Sequence, residues 1–188
     1  MDASNFDETN IVYSQRTMYG RGVLDSIANR VLDTTLNQLL PGERHAPQMV
    51  NGKLMPSVYT GPGTQLETRI RRGDKPLTFS DTESEAHDLR YALAANGGDV
   101  RAADVKMLSV LQSGLAAGKD IKFNVLPAYY GIRAKVAAER LGVPQSFFTT
   151  FGREHQGPDL NHVYEVKLRE LEQQGFGTPR CFSHGLRM

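Results

Sequence analysis

The chain has 188 residues, of which 39% are hydrophobic, 23% charged and 8% aromatic, a composition typical of one globular domain with additional segments. It excludes collagen-like, low-complexity and wholly disordered proteins. Because 22 Lys and Arg residues oppose 21 Asp and Glu residues, no global field favours nucleic acid or an anionic bilayer, and any membrane contact must be local. We therefore expect no nucleic-acid partner.

The first residues, MDASNFDETN, have neither the charged start nor the apolar run of a signal peptide. No apolar stretch approaches the roughly 18 residues that a spanning helix needs. A single cysteine, Cys181, excludes an intramolecular disulfide. The sequence thus predicts a chain made in a reducing compartment, without a transmembrane segment.

The first part of the chain is interpreted as a leader. Residues 1–20 are polar and are expected to form an extended arm. Apolar residues at spacings of three and four predict a helix from Val23 to Leu40 that ends at Pro41-Gly42. We prefer a core or interface helix to a membrane-lytic one, because its opposite face lacks Lys and Arg. The prolines and glycines of residues 41–58 predict a linker, so residues 1–55 are assigned to the leader.

Two helices are predicted in the middle of the chain. Ser80 and Glu83 have the spacing of a capping box and predict a helix over residues 81–95, which Asn96-Gly97-Gly98 would end. A second helix should begin near Ala102. Its predicted apolar stripe is Val105, Leu108, Leu111 and Leu115. The short connection predicts that the two helices pack antiparallel.

Shorter signals complete the prediction of a mostly α-helical chain with almost no strand. A turn at residues 59–63 precedes a short amphipathic piece from Leu66 to Ile70. Further helices are expected at Pro127–Leu141 and Leu160–Gln174. The Gly-, Pro- and Arg-bearing end, residues 175–188, is expected to be a tail.

The capped helix carries the residues that suggest chemistry. His87 and Asp88 are adjacent, so their side chains lie about 100° apart around the helix. Tyr91 follows His87 by one turn on the same face. By themselves these residues are more typical of a buried histidine with satisfied hydrogen bonds than of a catalytic histidine.

A glycine-rich turn upstream favours the functional interpretation of this helix. Gly61 and Gly63 flank Pro62 and allow a tight curl in which backbone carbonyls converge. Calcium prefers about six to eight oxygen ligands, often carbonyls together with a carboxylate. The turn alone is best explained as an ordinary Gly/Pro turn. Together with Asp88, the carbonyls of Tyr59, Gly61 and Gly63 predict a calcium site beside His87.

These blocks resemble a known family. Tyr-Thr-Gly-Pro-Gly from Tyr59, the His-Asp-x-x-Tyr run from His87 to Tyr91, and the Ala-Asp pair ending at Asp104 are similar to the phospholipase A2 domain in the unique region of parvovirus and densovirus minor capsid proteins. The resemblance covers about residues 56 to 138 and includes Asp81 and the downstream Tyr130 to Lys135 pattern. It implies a small fold of two antiparallel helices with a Gly-rich calcium loop and flanking helices.

The resemblance also implies roles for single residues. His87 would be the general base, Asp104 would hold its imidazole, and Tyr91 would support Asp104. Ca²⁺ would be bound by Asp88 and by the carbonyls of Tyr59, Gly61 and Gly63, and the Gly61 N–H would be an extra oxyanion donor. Water would attack the ester as the imidazole takes its proton, a scheme that needs no covalent intermediate.

The sequence therefore predicts a calcium-dependent ester hydrolase. The resemblance implies that it is a phospholipase A2 that cleaves the sn-2 ester of glycerophospholipids and is carried by a virus particle to open a membrane as it enters a cell. The expected domains are residues 1–55, the phospholipase-like residues 56–142, and residues 143–188. The terminal segments would attach to the capsid or to a second copy. The alternative is a non-catalytic structural or lipid-binding protein that keeps the scaffold.

A basic cluster lies next to the glycine-rich turn. Its members are Arg69, Arg71, Arg72 and Lys75. Such a run is usually a solvated face, and this interpretation is preferred here. The alternative is a surface that orients the protein on phospholipid head groups.

Overall fold

The computed structural model of the protein describes residues 38–147 and 158–176. These residues are mostly helical, with one small two-stranded sheet, which confirms the predicted mostly-α class. The predicted arm of residues 1–20, nearly all of the predicted helix from Val23 to Leu40, and Cys181 lie outside the described residues.

Residues that were predicted as a linker form a β-hairpin. Strand β1 (Pro47–Val50) pairs antiparallel with β2 (Lys53–Pro56), with Pro47 opposite Pro56. The connection is Asn51-Gly52, and both residues have positive φ angles of 50° and 76°. This is the residue pair that tight hairpin turns favour. The linker prediction was wrong because it took the prolines as evidence against strands. Pro47 and Pro56 lie at the strand ends, where a missing N–H is tolerated.

Helix α1 (Leu66–Arg72) confirms the predicted amphipathic piece and ends at Gly73, whose φ is 79°. Helix α2 (Phe79–Ala92) begins two residues earlier than predicted. Its N-cap is Thr78, whose side chain accepts a hydrogen bond from the Asp81 N–H. The predicted Ser80 capping box was therefore wrong, because Ser80 already lies inside the helix.

Helix α3 (Gly97–Ala116) also begins earlier than predicted, because Asn96 caps it by accepting from the N–H groups of Gly98 and Asp99. The two glycines that were expected to end α2 thus form the first turn of α3. The predicted apolar stripe is confirmed only in part, because Leu111 is fully buried and Leu115 packs against the core. Val105 is 55% exposed, and the face turned to the core is formed by Ala103, Met107, Val110, Leu111 and Gly114.

Helices α2 and α3 run antiparallel. The start of α2 meets the end of α3, where a Cβ on Gly114 would lie 2.1 Å from a ring carbon of Phe79. At the other end, Tyr91 of α2 packs with Val100 and Ala103 of α3. Gly114 therefore lets the aromatic ring approach the α3 backbone closely.

Two further helices flank this pair. Helix α4 (Lys122–Arg140) contains Pro127 and packs through Val125 and Ala128 against α3. A short 3-10 turn follows at Gln145–Phe147. Helix α5 (Pro158–Gln173) packs through Tyr164 and Leu171 on the outer side of α2. No helix within the described ranges is long and apolar enough to cross a membrane.

Candidate active site

The antiparallel packing of α2 and α3 brings a histidine and a carboxylate together. His87 Nε2 lies 2.9 Å from Asp104 Oδ1, across a sequence separation of 17 residues. The Asp104 side chain is fully buried, and only 5% of His87 is exposed. A buried carboxylate bonded to one ring nitrogen fixes the orientation and the tautomer of an imidazole.

Asp104 receives three hydrogen-bond donors. Tyr91 donates its hydroxyl to the same oxygen that faces His87, while Lys135 Nζ lies 2.6 Å from the other oxygen. Burial opposes the charge on Asp104, but the hydrogen bonds from His87, Lys135 and Tyr91 outweigh it and lower the pKa of that carboxyl. Asp104 is therefore held in its charged form.

The sequence did not assign a role to Lys135, although the residue lies in the downstream part of the recognised pattern. Its side chain is 8% exposed, and its ammonium group also bonds the Glu139 carboxylate one turn further along α4. It lies 5.4 Å from the centre of the Tyr91 ring. The i, i+4 spacing of Lys135 and Glu139 was the available signal, but their orientation toward Asp104 depends on how α4 packs.

The second ring nitrogen of His87 is positioned to accept a proton. A charged carboxylate can only accept, so the neutral ring carries its proton on Nε2 and leaves the lone pair of Nδ1 free. His87 Nδ1 lies 3.6 Å from Asp88 Oδ1. Burial lowers the pKa of His87, but hydrogen bonding to Asp104 and Asp88 outweighs this, and the net shift is upward. The arrangement suits a general base.

Asp88 lies beside the imidazole and is poorly satisfied by the protein. Its Oδ2 atom is buried and has no hydrogen-bond partner among the described residues. Burial raises the pKa of this carboxyl, while His87, Thr64 and His45 act in the opposite direction. A buried carboxylate oxygen without a donor is a suitable ligand for a hard cation.

The glycine-rich loop is fixed by a second buried carboxylate, Asp81 of α2. One of its oxygens lies 2.8 Å from the Tyr59 nitrogen and 3.2 Å from the Thr60 nitrogen. The other accepts the N–H groups of Val58 at 3.0 Å and Leu77 at 3.2 Å. A charged group that accepts several backbone N–H bonds holds a loop strongly. The sequence marked Asp81 only as part of the resemblance.

The loop is also tied to residues that precede the hairpin. The Arg44 N–H donates to the Pro62 carbonyl at 3.2 Å, and the Ala46 N–H donates to the Thr60 carbonyl at 2.7 Å. A Cβ on Gly61 would lie 2.4 Å from the Arg44 carbonyl oxygen. Glycine is therefore required at position 61 for this close approach.

Two of the predicted carbonyl ligands, those of Tyr59 and Gly61, face the hydroxyl of Thr64, which can donate to either of them. Thr64 Oγ1 lies 3.3 Å from the Tyr59 carbonyl oxygen and 3.2 Å from that of Gly61. Gly63 has a φ of 83°, and a Cβ there would lie 3.2 Å from the Gly42 carbonyl oxygen.

The donor set fits a calcium ion. Among residues 38–147 and 158–176, no group of three or more His, Cys, Asp or Glu side chains is arranged to hold a metal. Backbone carbonyl oxygens beside a carboxylate are a combination of ligands that calcium accepts. The unsatisfied Asp88 oxygen provides the charge.

The basic cluster is divided between the interior and the surface, with Arg71 and Lys75 exposed and Arg72 partly exposed. Arg69 is fully buried, and its guanidinium bonds Glu43 and Asp74, while Arg72 bonds Asp74. Burial opposes the charge on Glu43, but the hydrogen bonds from Arg69 and two backbone N–H groups lower its pKa to about 2. Arg71 remains exposed and pairs with Glu67. The arginines therefore do not form one continuous surface for head groups.

In comparisons with known proteins, no protein-family model, no curated protein and no solved structure matches this chain. Any functional proposal therefore depends on the motifs and on the geometry of the site.

Proposed function

We propose that this chain is a calcium-dependent phospholipase A2 that hydrolyses the sn-2 ester of glycerophospholipids. The observation that supports it most directly is the geometry of His87, which has one nitrogen 2.9 Å from a buried carboxylate and the other beside Asp88. The loop carbonyls of Tyr59 and Gly61, which face the Thr64 hydroxyl, would add oxygen ligands for a hard cation.

The proposed reaction is a direct attack by water. His87 Nδ1 takes one proton from the water as its oxygen bonds to the ester carbonyl carbon. Asp104 keeps the Nε2 proton in place and stabilises the imidazolium that forms. The imidazolium then gives its proton to the departing alkoxide, so that one water and one ester yield a fatty acid and a lysophospholipid.

The loop and Asp88 would form the electrophilic side of the site. Calcium, when bound, supplies positive charge to the ester carbonyl oxygen as a Lewis acid. Asp88 and the carbonyls of Tyr59, Gly61 and Gly63 would hold it, and the Gly61 N–H would be an additional donor to the oxyanion. The Asp81 carboxylate would keep these carbonyls in position through its bonds to the Tyr59 and Thr60 N–H groups.

The biological setting follows from the resemblance to viral phospholipase domains. The enzyme would be carried by a virus particle and would act on a phospholipid membrane surface as the particle enters a cell. The terminal segments, residues 1–55 and 143–188, would attach to the capsid or to a second copy of the chain.

Release of fatty acid from mixed phospholipid vesicles tests the proposal. The full chain is assayed with calcium and with a chelator, beside His87→Gln and the matched control His162→Gln, which changes an exposed histidine on α5. We expect release that needs calcium, falls by at least about 100-fold in His87→Gln and persists in His162→Gln. Vesicle binding without chelator-sensitive release would refute the enzyme and favour the non-catalytic scaffold.

A further inference from the structure

Helix α4 carries an apolar stripe on its outer face. Its members follow one another at alternating intervals of four and three residues and are Phe123, Pro127, Tyr130, Ala134, Ala137 and Leu141. All six are exposed, with Phe123 at 46%, Tyr130 at 58% and Leu141 at 87%. Such spacing aligns side chains along one face of a helix. Helix α4 therefore presents a continuous apolar line at the surface.

The inner face of α4 already has its partners. Val125 and Ala128 pack against α3, and the Lys135 ammonium group bonds Asp104 and Glu139. Within the described residues, the fold of the helix therefore depends on this face and leaves the stripe uncovered. A surface helix usually has polar side chains on its outer face. An exposed apolar line in that place indicates an interaction surface.

A basic row runs along one side of the stripe. Lys122, Arg133 and Arg140 are exposed and lie about 80–100° from the centre of the stripe around the helix axis. Within α4, which the structure describes throughout, the one acidic residue is Glu139, which is 8% exposed and bonded to Lys135. The outer surface of α4 thus combines apolar groups with positive charge.

This combination is complementary to an anionic phospholipid surface. Helices that lie in the interface of a bilayer place aromatic and aliphatic side chains at the acyl boundary and keep Lys and Arg among the head groups. Each basic residue close to an anionic membrane strengthens binding by about 5-fold. A second copy of α4 would be a poorer partner, because it brings the same cations and no exposed carboxylate to pair with them.

We infer that the outer face of α4 is the surface through which this protein docks on anionic phospholipid membranes. The inference rests on the proposed function for its reason to meet a membrane, and it adds the docking face and the charge of the preferred head groups. Docking through α4 would hold the candidate site near the lipid, because the inner face of the same helix reaches Asp104 through Lys135.

Co-sedimentation of the full chain with vesicles tests the inference, in a chelator so that the proposed hydrolysis leaves the lipid intact. We expect binding to phosphatidylcholine vesicles that contain about 30% phosphatidylserine, and weaker binding without phosphatidylserine or at high salt. Phe123→Glu should weaken binding by at least about 10-fold. The matched control Val163→Glu, at a position on α5 that is 45% exposed, should not weaken it. Arg133→Gln should weaken binding by about 5-fold on the anionic vesicles alone.

A fluorescent reporter shows which face meets the lipid without removing charge or apolar area. The chain contains no tryptophan, so Tyr130→Trp places a single indole on the stripe and Val163→Trp places one on α5. Indole rings favour the boundary between acyl chains and head groups. We expect the emission of Tyr130→Trp to shift to shorter wavelength on anionic vesicles and that of Val163→Trp to stay unchanged.

Equal vesicle binding by Phe123→Glu and Val163→Glu, or equal emission shifts from the two reporters, would overturn the inference. So would a chain that is dimeric without lipid and becomes monomeric in Phe123→Glu, because a second copy would then cover the stripe. Hydrolysis of a dispersed short-chain phospholipid in calcium tests the proposed function separately. Absence of that hydrolysis would refute the enzyme alone, whereas absence of docking through α4 would refute this surface alone.

Discussion

Replacing Gly61 by alanine inserts one methyl group where two backbone segments touch. The new Cβ would lie 2.4 Å from the Arg44 carbonyl oxygen and 2.6 Å from the His45 Cα, and the φ of Gly61 is 155°. Both obstacles are backbone atoms, so the loop must move away from residues 44–46. This would break the hydrogen bonds Arg44 N–H to Pro62 and Ala46 N–H to Thr60.

The magnitude follows from these contacts. Two lost hydrogen bonds cost about 0.5–1.5 kcal/mol each, and a non-glycine residue in this backbone region costs about 1–3 kcal/mol. We expect Gly61→Ala to lower the free energy of unfolding by about 2–6 kcal/mol. Because the loop carbonyls move with it, calcium-dependent fatty acid release should fall by more than about 10-fold.

The matched control is Gly131→Ala on the exposed side of α4. A Cβ there meets nothing within 4 Å, and the residue is helical, so the same methyl group should stabilise the chain by about 0.5–1 kcal/mol. Urea denaturation followed by far-ultraviolet circular dichroism measures both variants in calcium-free buffer. Equal unfolding free energies for the two variants would refute the account of the loop.

Three further predictions concern buried carboxylates. Burial raises the pKa of Glu85 to about 7 in the folded chain, against an ordinary value of 4.5, so its contribution to stability is full below about pH 4.5 and is lost as pH rises through 7. Glu85→Gln should therefore raise the melting temperature at pH 8 and leave it nearly unchanged at pH 4.5, and an equal effect at both pH values would contradict this. Asp81→Asn should weaken calcium binding by at least about 10-fold in calorimetry, because the amide nitrogen cannot accept the backbone N–H groups that one of the two carboxylate oxygens accepts. Unchanged affinity would exclude Asp81 as the anchor of the loop. Asp104→Asn should reduce turnover by about 100- to 10,000-fold with little change in calcium Kd, and a parallel loss of calcium binding would indicate general disruption instead.

Local signals were sufficient to predict most helices. The positions of glycine and proline and the spacing of apolar residues predicted the bounds of α1 and α5 to within a few residues. They misplaced the start of α2, because two candidate capping sequences, Thr78-x-x-Asp81 and Ser80-x-x-Glu83, overlap. The sequence alone does not show which of the two hydroxyl oxygens faces the free N–H groups of the first turn. They also missed the hairpin, in which an Asn-Gly turn outweighs the nearby prolines.

The spacing of residues could predict the candidate site only where they share a helix or a loop, and Asp104, which lies on α3, was assigned only through the resemblance. His87, Asp88 and Tyr91 occupy one helix, and residues 59–63 form one turn, so their spacing is informative. Lys135 reaches the site from α4, through a contact with Asp104 that depends on tertiary packing. No periodicity in the sequence reports such a contact, so its role becomes visible only in three dimensions.

The bonds between residues 43–46 and the glycine loop define where the chain can be shortened. A fragment that starts at residue 56 would keep every residue of the motifs. It would lack Glu43, which is a buried counter-ion of Arg69, and it would lack the backbone N–H donors of Arg44 and Ala46. A fragment that starts before Gln38 would keep all of these. Expression boundaries for this protein should therefore be drawn from its hydrogen bonds, well upstream of its recognisable motif.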